Sequence, residues 1–563
     1  MTALLTDNLP LLAGAPNGIK KLRELILELA VRGKLLPQDP SDEPASELLK
    51  RIADEKARLV AEGKIKKQKP LQEVDEEALP FELPAAWVWT RLGEITNFGT
   101  TTKKDEIPDD AWVLDLEDIE KDTSRLLQKA RFKERNSLSD KNSFTKGDVL
   151  YGKLRPYLNK VLVAEEDGFC TTEILPFRCY GPFVAHYFMI ALKSPYFLSY
   201  VNAKSYGMKM PRLGTEDGRQ AYFPLPPLAE QHRIVAKVDE LMALCDRLEA
   251  QQADADSAHT QLVQALLDSL TQAHDAEDFA QSWQRLAEHF HTLFTTESSI
   301  DALKQTLLQL AVMGKLVPQD PRDEPASELL KRIAEKKARL VAEGSIRKQK
   351  SLTEIADAEK PFQLPAGWEW VRLDSLLRKI GAGSTPLGGK QGYVSEGIKF
   401  LRSQNVWNEG LRLDDVALIP ESTHQKMSGT HVAAGDLLFN ITGASIGRCA
   451  IVPDDFDTGN VSQHVTIVRP VMGELRQFLH VILTSQLVQQ TVMDVQVGVS
   501  REGLSIGKLS QFAIPCPPEA EQHRIVAKVD QLMALCDQLK ARLNQARQVH
   551  EQLAGALVEQ AVA

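Results

Sequence analysis

GKLLPQDPSDEPASELLKRIADEKARLVAEG at Gly33–Gly63 returns as GKLVPQDPRDEPASELLKRIAEKKARLVAEG at Gly314–Gly344, identical at 27 of 31 positions. A second block, EQHRIVAKVDELMALCDRLE at Glu230–Glu249, returns as EQHRIVAKVDQLMALCDQLK at Glu521–Lys540, identical at 17 of 20. The register shift is 281 residues for the first block and 291 for the second, so what the blocks enclose is ten residues longer in the second copy. The chain is therefore one plan used twice: a block, an insert and a block. The enclosed inserts have diverged almost completely, apart from short matches such as Gly147-Asp148-Val149-Leu150 against Gly435-Asp436-Leu437-Leu438.

Both blocks read as helix. In the first, Asp42 or Ser46 is placed to cap the start, Pro44 stands near the first turn, and Gly63 or Gly344 supplies a left-handed stop. Leu48, Leu49, Ile52, Leu59 and Val60 fall on one stripe. In the second, Val238, Leu241, Cys245 and Leu248 step by three and four, the seam of a coiled coil that needs a partner helix. Helical from Ala229 to about Ala273, this block is a rod of about 65 to 70 Å at 1.5 Å per residue. The connector residues Phe279, Trp283, Leu286, Phe290 and Leu293 step the same way and predict a short amphipathic helix docked on the frame.

Each insert opens with a Trp-x-Trp strand, LPAAWVWTRL ending at Leu92 or LPAGWEWVRL ending at Leu373, and closes on Pro224-Leu225-Pro226-Pro227 or Pro515-Cys516-Pro517-Pro518. Between these edges, Val149–Tyr151, Lys160–Ala164, Ile398–Leu401, Leu437–Ile441, Cys449–Val452 and Val465–Val468 read as strands, and short helices are expected near Ala185–Val201 and Leu475–Val495. The expected fold class is α/β (α+β): two globular domains separated by long antiparallel coiled-coil-like helices, with an internal pseudo-twofold repeat. The partition is 1–86 helical, 87–228 first insert, 229–273 spacer helix, 274–300 connector, 301–367 second helical region, 368–519 second insert, and 520–563 spacer helix.

At 563 residues, 43% apolar and 26% charged, the chain belongs with folded multidomain proteins, not with disordered or collagen-like ones. No apolar run approaches the roughly 18 residues of a membrane span, and MTALLTDNLPLLAG lacks the early basic region of a secretory signal. A cytoplasmic protein is expected. The six cysteines form no CxxC pair, and free buried thiols are expected. The net charge of −10 argues at first against a nucleic-acid partner, but the inserts are nearly neutral, with 20 basic and 19 acidic residues in 87–228 and 13 and 15 in 368–519. The acid belongs to the frame, which leaves each insert able to present a basic face.

The usual catalytic constellations are missing. GAGSTPLGGKQ at Gly381–Gln391 fails the spacing of a phosphate loop, and Lys390 is followed by Gln391 where Ser or Thr is required, so a glycine turn is expected. No HExxH or GxGxxG occurs. His232 and His523 are copied within a helical frame with no nucleophile beside them, which points to a structural role. No catalytic or metal residue is assigned.

With the repeats laid out, the chain resembles the specificity subunits of type I restriction-modification systems. The residues that carry the resemblance are PLPPLAEQHRIVAKVDELMALCD and PCPPEAEQHRIVAKVDQLMALCD, the Trp-x-Trp openings, IKFLRSQNVW (Ile398–Trp407), GDLLFNITGASIGRCAIV (Gly435–Val452) and NVSQHVTIVRP (Asn460–Pro470). The resemblance implies two target recognition domains, each reading half of a split site on double-stranded DNA, and a helical frame that receives two methyltransferase (M) subunits and two restriction/translocase (R) subunits. It also implies a noncatalytic subunit without cofactor, S-adenosylmethionine, ATP and Mg²⁺ belonging to the partners. Base reading needs side chains such as Arg, Lys, Asn and Gln at base edges. The candidates in loop-like settings are Lys153, Arg155, Tyr157, Lys209 and Arg212 in the first domain, and Arg402, Gln404, Asn405, Thr442, Ser445, Arg448, Gln463, His464 and Arg501 in the second. Two other readings stand beside this one: a degenerate or fused DNA-modifying enzyme, and a scaffold that does not bind DNA.

Overall fold

The computed structural model describes residues 9–135, 139–274, 276–346, 352–496 and 503–562. The chain divides into two compact units, Met1–Ala255 with Ala546–Ala563, and Asp256–Gln545. The frame is built from α1 (Gly18–Val31), α2 (Ala45–Ala61), α3 (Leu228–Gln272), α4 (Glu297–Val312), α5 (Ala326–Ala342) and α6 (Glu519–Val562).

In the first unit, α1, the head of α3 and the tail of α6 share one core, in which Leu25, Leu29, Val238, Leu241, Cys245 and Ala554 are buried. Polar contacts fix the directions. Arg23 on α1 meets Asp246 and Glu249 at 2.7 Å each, while Gln38 meets Glu230, so α1 and α3 run oppositely. Lys21 meets Glu551 at 3.6 Å and Lys34 donates to the Val562 carbonyl at 2.9 Å, so α1 and α6 run alike. The segments of α3 and α6 are therefore antiparallel in this bundle. The second unit repeats it with the long helices exchanged. Lys304 meets Asp537, Lys540 meets Asp301 at 3.0 Å, and Lys315 donates to the carbonyls of Thr271 and Ala273 at 3.0 and 2.9 Å. The lysine after each repeated Gly33 or Gly314 thus places its cation on terminal carbonyls of a long helix, the end that the helix dipole makes negative.

The start of α2 and α5 differs from expectation. Pro44 and Pro325 occupy the cap position, and neither Asp42 nor Ser46 caps α2. Asp42 instead holds Arg233 at 3.0 and 2.5 Å, as Asp323 holds Arg524 at 3.2 and 2.6 Å. Gly63 and Gly344 end their helices at φ 70°, as the left-handed stop requires.

One buried network joins insert to frame in both copies. Trp87 Nε1 donates to Glu230 at 2.8 Å and Gln38 donates to the other oxygen at 2.8 Å. Trp368 and Gln319 treat Glu521 the same way at 2.9 and 2.7 Å. Burial raises both carboxyl pKa values above their ordinary position, and the Trp and Gln donors oppose the shift. Gln231 and Gln522 donate to the Pro226 and Pro517 carbonyls at 3.1 and 3.0 Å. In the repeated Glu-Gln-His-Arg, then, the buried Glu and Gln do the joining, while His232 and His523 are exposed.

The inserts share a topology that their sequences hide. Each is closed by a two-stranded ribbon, Val88–Arg91 with Tyr222–Leu225 and Glu369–Arg372 with Ala513–Cys516, where Trp89 faces Pro224 and Trp370 faces Pro515. The closing prolines sit inside a strand, as a ribbon with a free edge permits. A four-stranded sheet follows, ordered Thr96–Asn97, Ile174–Cys179, Val149–Gly152, Val161–Val163 in the first insert and Leu377–Ala382, Val465–Pro470, Leu437–Asn440, Cys449–Ile451 in the second. A second sheet contains one parallel pair in each, Trp112–Leu114 with Gly168–Thr171 and Ile398–Leu401 with Gly459–Val461. The Gly-Asp match marks equivalent turns: Asp148 binds Arg178 at 2.9 Å, and Asp436 binds Arg469 at 2.5 Å. The helices expected at Ala185–Val201 and Leu475–Val495 are each two, Ala185–Lys193 with Pro195–Lys204 and Arg476–Thr484 with Gln486–Gln496, broken at Ser194 and Ser485. The connector forms Ala276–Glu288 and Phe290–Leu293, burying Leu286 and Leu293 and leaving Trp283 exposed. Cys179 is partly exposed and the other five cysteines are buried, all of them free. Among the described residues no helix is long and apolar enough to cross a membrane.

Candidate nucleic-acid interface

Loops carry the described candidate residues of both inserts, and those that follow the strands Val149–Gly152 and Leu437–Asn440 are equivalent. In the first, strand Val149–Gly152 leads into Lys153, Arg155 and Tyr157. Arg155 is held in the left-handed region at φ 51°, its amide donating to the Pro211 carbonyl at 2.7 Å, and the Leu213 amide donates to the Lys153 carbonyl at 3.0 Å. These bonds join the 153–157 loop to the 206–212 turn, which carries Lys209 and Arg212. Arg212 is engaged by Glu173 at 2.9 Å. Tyr157, Tyr206 and Met208 are exposed on these loops. The structure thus brings together all five first-insert candidates.

In the second insert, Ser462 N donates to the Leu401 carbonyl, Ile441 N to the His464 carbonyl, and Asn440 Nδ2 to the Ser403 carbonyl, which ties three loops into one surface. Arg402 donates to the Asp415 carbonyl at 2.9 Å, and Gln404 donates to the Asp415 carboxylate at 2.7 and 3.0 Å. Asn405 is buried: its Oδ1 accepts from the Arg402 amide at 3.0 Å and its Nδ2 donates to the Arg412 carbonyl at 2.9 Å, so its amide shapes the turn. Ser445 accepts from Asn440 at 3.2 Å. Thr385 donates to Gln463 at 2.6 Å, Gln463 Nε2 lies 3.0 Å from His464 Nε2, and His464 Nδ1 lies 2.5 Å from Thr442 Oγ1. With Gln463 as donor, His464 carries its proton on Nδ1 and gives it to Thr442, whose own hydroxyl proton is then free. Arg448 lies over the Trp407 ring at 3.7 Å. Arg501 lies outside the described residues.

The two surfaces share a backbone and differ in chemistry. The turn Arg402-Ser403-Gln404-Asn405 corresponds to Asp115-Leu116-Glu117-Asp118, since Asp118 accepts from the Asp115 amide at 2.7 Å as Asn405 does from that of Arg402. The acidic version is neutralised by Arg135, which reaches Asp118, Glu117 and Asp115, and by Lys141, 3.3 Å from Asp115. Hydrogen bonding to Asp118 holds the Arg135 pKa above its ordinary value. Sequence reading missed Trp407 and Arg412, whose guanidinium covers the same ring at 3.5 Å. The aromatic stood in the quoted IKFLRSQNVW segment, but Arg448 lies too far along the chain to be paired with it by spacing, and Arg412 reaches it through the tight hairpin Val406–Leu411. Among the described residues no group of three or more His, Cys, Asp or Glu side chains is placed to hold a metal ion.

A duplicated helical frame carrying two heads of one topology and unlike loop chemistry defines a class of two-headed recognition subunit. The family model described as the type I restriction modification DNA specificity domain matches residues 365–547. The chain is 40% identical to the type I restriction enzyme EcoAI specificity subunit of Escherichia coli, over 97% of this chain and 94% of that one. It is 39% identical to the EcoEI specificity subunit of the same organism with the same coverage. A solved chain from work on complex assembly and conformational transition of the type I R-M system matches with TM-score 0.53 at 20% identity, covering 86% of this chain and 99% of that chain, which supports the shared fold. The protein belongs to the family of type I restriction enzyme specificity subunits.

Proposed function

We propose that the chain reads a bipartite, asymmetric site on double-stranded DNA, residues 87–228 addressing one half and residues 368–519 the other, with Arg501 among the second set of contacts. The observation that carries this reading is the turn that is Asp-Leu-Glu-Asp in one head and Arg-Ser-Gln-Asn in the other, on matching backbones. Two identical readers would suit a palindrome, because protein symmetry mirrors site symmetry; unlike readers on a repeated frame suit two different half-sites. Side chains on these loops specify bases, while other basic groups set register on phosphate. The repeated frame offers matching surfaces to two M subunits, with two R subunits completing the assembly in the cytoplasm. S-adenosylmethionine, ATP and Mg²⁺ act in those partners.

The test is domain exchange. Residues 87–228 are replaced by the corresponding domain of the EcoAI relative, and methylated sites are mapped in cells that supply the M subunit. One half of the site changes and the other persists. A change in both halves, or in neither, refutes the reading.

A further inference from the structure

We infer that Trp407, Arg412 and Arg448 form a preassembled clamp for the DNA phosphate backbone beside the second reading turn. The inference rests on the DNA reading above and adds a site to it. Arg412 and Arg448 lie 3.5 and 3.7 Å from the centre of one ring. Both distances are close to van der Waals contact, roughly 3.5–4.0 Å between carbons, so two guanidiniums on the same face would overlap. They therefore cover opposite faces, and the ring separates two like charges. With both faces taken, Trp407 has none left on which a base could stack. Its place is fixed from three sides. Nε1 donates to the Gln404 carbonyl at 2.8 Å, the hairpin Val406–Trp407 pairs with Gly410–Leu411, and Asn408 Oδ1 accepts from the Cys449 amide at 3.0 Å. That last bond pins the hairpin to the residue following Arg448.

Neighbouring arginines show what is unusual here. Arg402 is engaged by Asp415, Arg469 by Asp436 and Arg476 by Asp454. Neither Arg412 nor Arg448 has a side-chain hydrogen bond or ion pair among the described residues. A guanidinium stacked by its face keeps all its N–H edges for an acceptor, and planar, bidentate donation suits a phosphodiester. Stacking also orders two long side chains before binding, which lowers the entropy lost when the anion arrives. The first insert lacks the device. Matching backbone bonds place Glu120, Leu127 and Lys160 at the three positions, because Leu127 N donates to the Asp118 carbonyl as Arg412 N does to Asn405, and Gly152 N to Lys160 as Asn440 N does to Arg448. Lys160 spends its ammonium on the Leu116 carbonyl at 2.7 Å. The clamp belongs to one head only.

The experiment measures affinity for a cognate duplex against KCl concentration, using the full chain assembled with its M subunits. Each phosphate contact contributes about 0.9 to the slope of log affinity against log salt. Arg412→Gln with Arg448→Gln flattens that slope by about 1.8, so a fourfold rise in salt costs the double variant about 12-fold less affinity than the parent. Preference for cognate over altered second half-sites stays unchanged. Trp407→Ala reproduces part of the flattening, whereas Trp407→Phe, which keeps an aromatic face, retains most of the parent slope. An unchanged slope in the double variant overturns the clamp, and so does a loss of base preference in the second half-site, which would make these arginines base readers. Failure of the parent complex to distinguish cognate from altered duplex would instead refute the DNA reading itself.

Discussion

Replacing Trp87 by Phe removes one N–H donor from a carboxylate that has almost no access to water. Glu230 is 1% exposed and Trp87 is 4% exposed, and the Gln38 donor on the other oxygen cannot serve both. A buried acceptor left without its partner costs about 1–3 kcal/mol, with charged groups toward the upper end. For a unit of this size each kcal/mol lowers the melting temperature by about 2–4 °C, so a drop of about 2–12 °C is expected. Packing loss contributes too, because Phe is smaller than Trp. A cycle with Glu230→Leu separates the two: once the acceptor is gone, Trp87→Phe costs only packing, and the coupling energy is about 1–3 kcal/mol. Denaturation measures the energies, and hydrogen exchange locates them. Protection falls around the head of α3 for Trp87→Phe and around the head of α6 for Trp368→Phe. Coupling below about 0.5 kcal/mol, within the scatter expected of independent sites, would refute the idea that these networks fasten insert to frame.

The same carboxyls give a pH dependence. Their folded pKa values lie above the ordinary 4.5, so their contribution is fully present below that pH and is lost as pH rises through the folded values. Thermal scans from pH 4 to 8 should show the parent losing stability relative to Glu230→Gln/Glu521→Gln as pH rises; a difference independent of pH contradicts this. Asp436→Ala leaves Arg469 and the Ala433 amide without their acceptor and destabilises the second insert by about 3 kcal/mol, as removal of one member of a buried pair does; chemical denaturation measures it. Gln404→Ala relaxes base preference at one position of the second half-site by about 1–3 kcal/mol, read from binding to a panel of single-base variants. A uniform loss over the panel would place Gln404 on phosphate.

The frame was legible because duplication exposes it: a stripe such as Leu48 and Ile52 that returns 281 residues later as Leu329 and Ile333 is a packing requirement met twice. Helix starts were less legible, since Asp42 has the chemistry of a cap and spends it on Arg233. The opening strands of the inserts followed from the Trp-x-Trp alternation and inner ones such as Val149–Gly152 and Leu437–Asn440 from short apolar runs, but Trp112–Leu114 and Gly459–Val461 are three residues each and carry no periodicity to read. Proline announces the break at Ser194–Pro195, whereas the one at Ser485 has no such signal. Candidate loops were found by residue type, and type alone could not separate Gln404 on the surface from Asn405, whose amide is spent inside the turn. The pairing of Arg448 with Trp407 depends on a hairpin docking across 41 residues through Asn408 and Cys449, a tertiary fact that no local pattern encodes.

We propose that the length of α3 and α6 sets the separation of the two readers on DNA. Residues 251–258 of α3 are exposed, so four residues can be inserted after Ala255, with four more after Gln545 of α6, without entering a core. Four residues add about 6 Å of helix, which at 3.4 Å per base pair is about two base pairs. Mapping methylated sites in cells that carry the lengthened chain and its M subunit is the decisive measurement. Both half-sites should persist with a longer gap between them. An unchanged gap, or altered half-sites, would contradict the account.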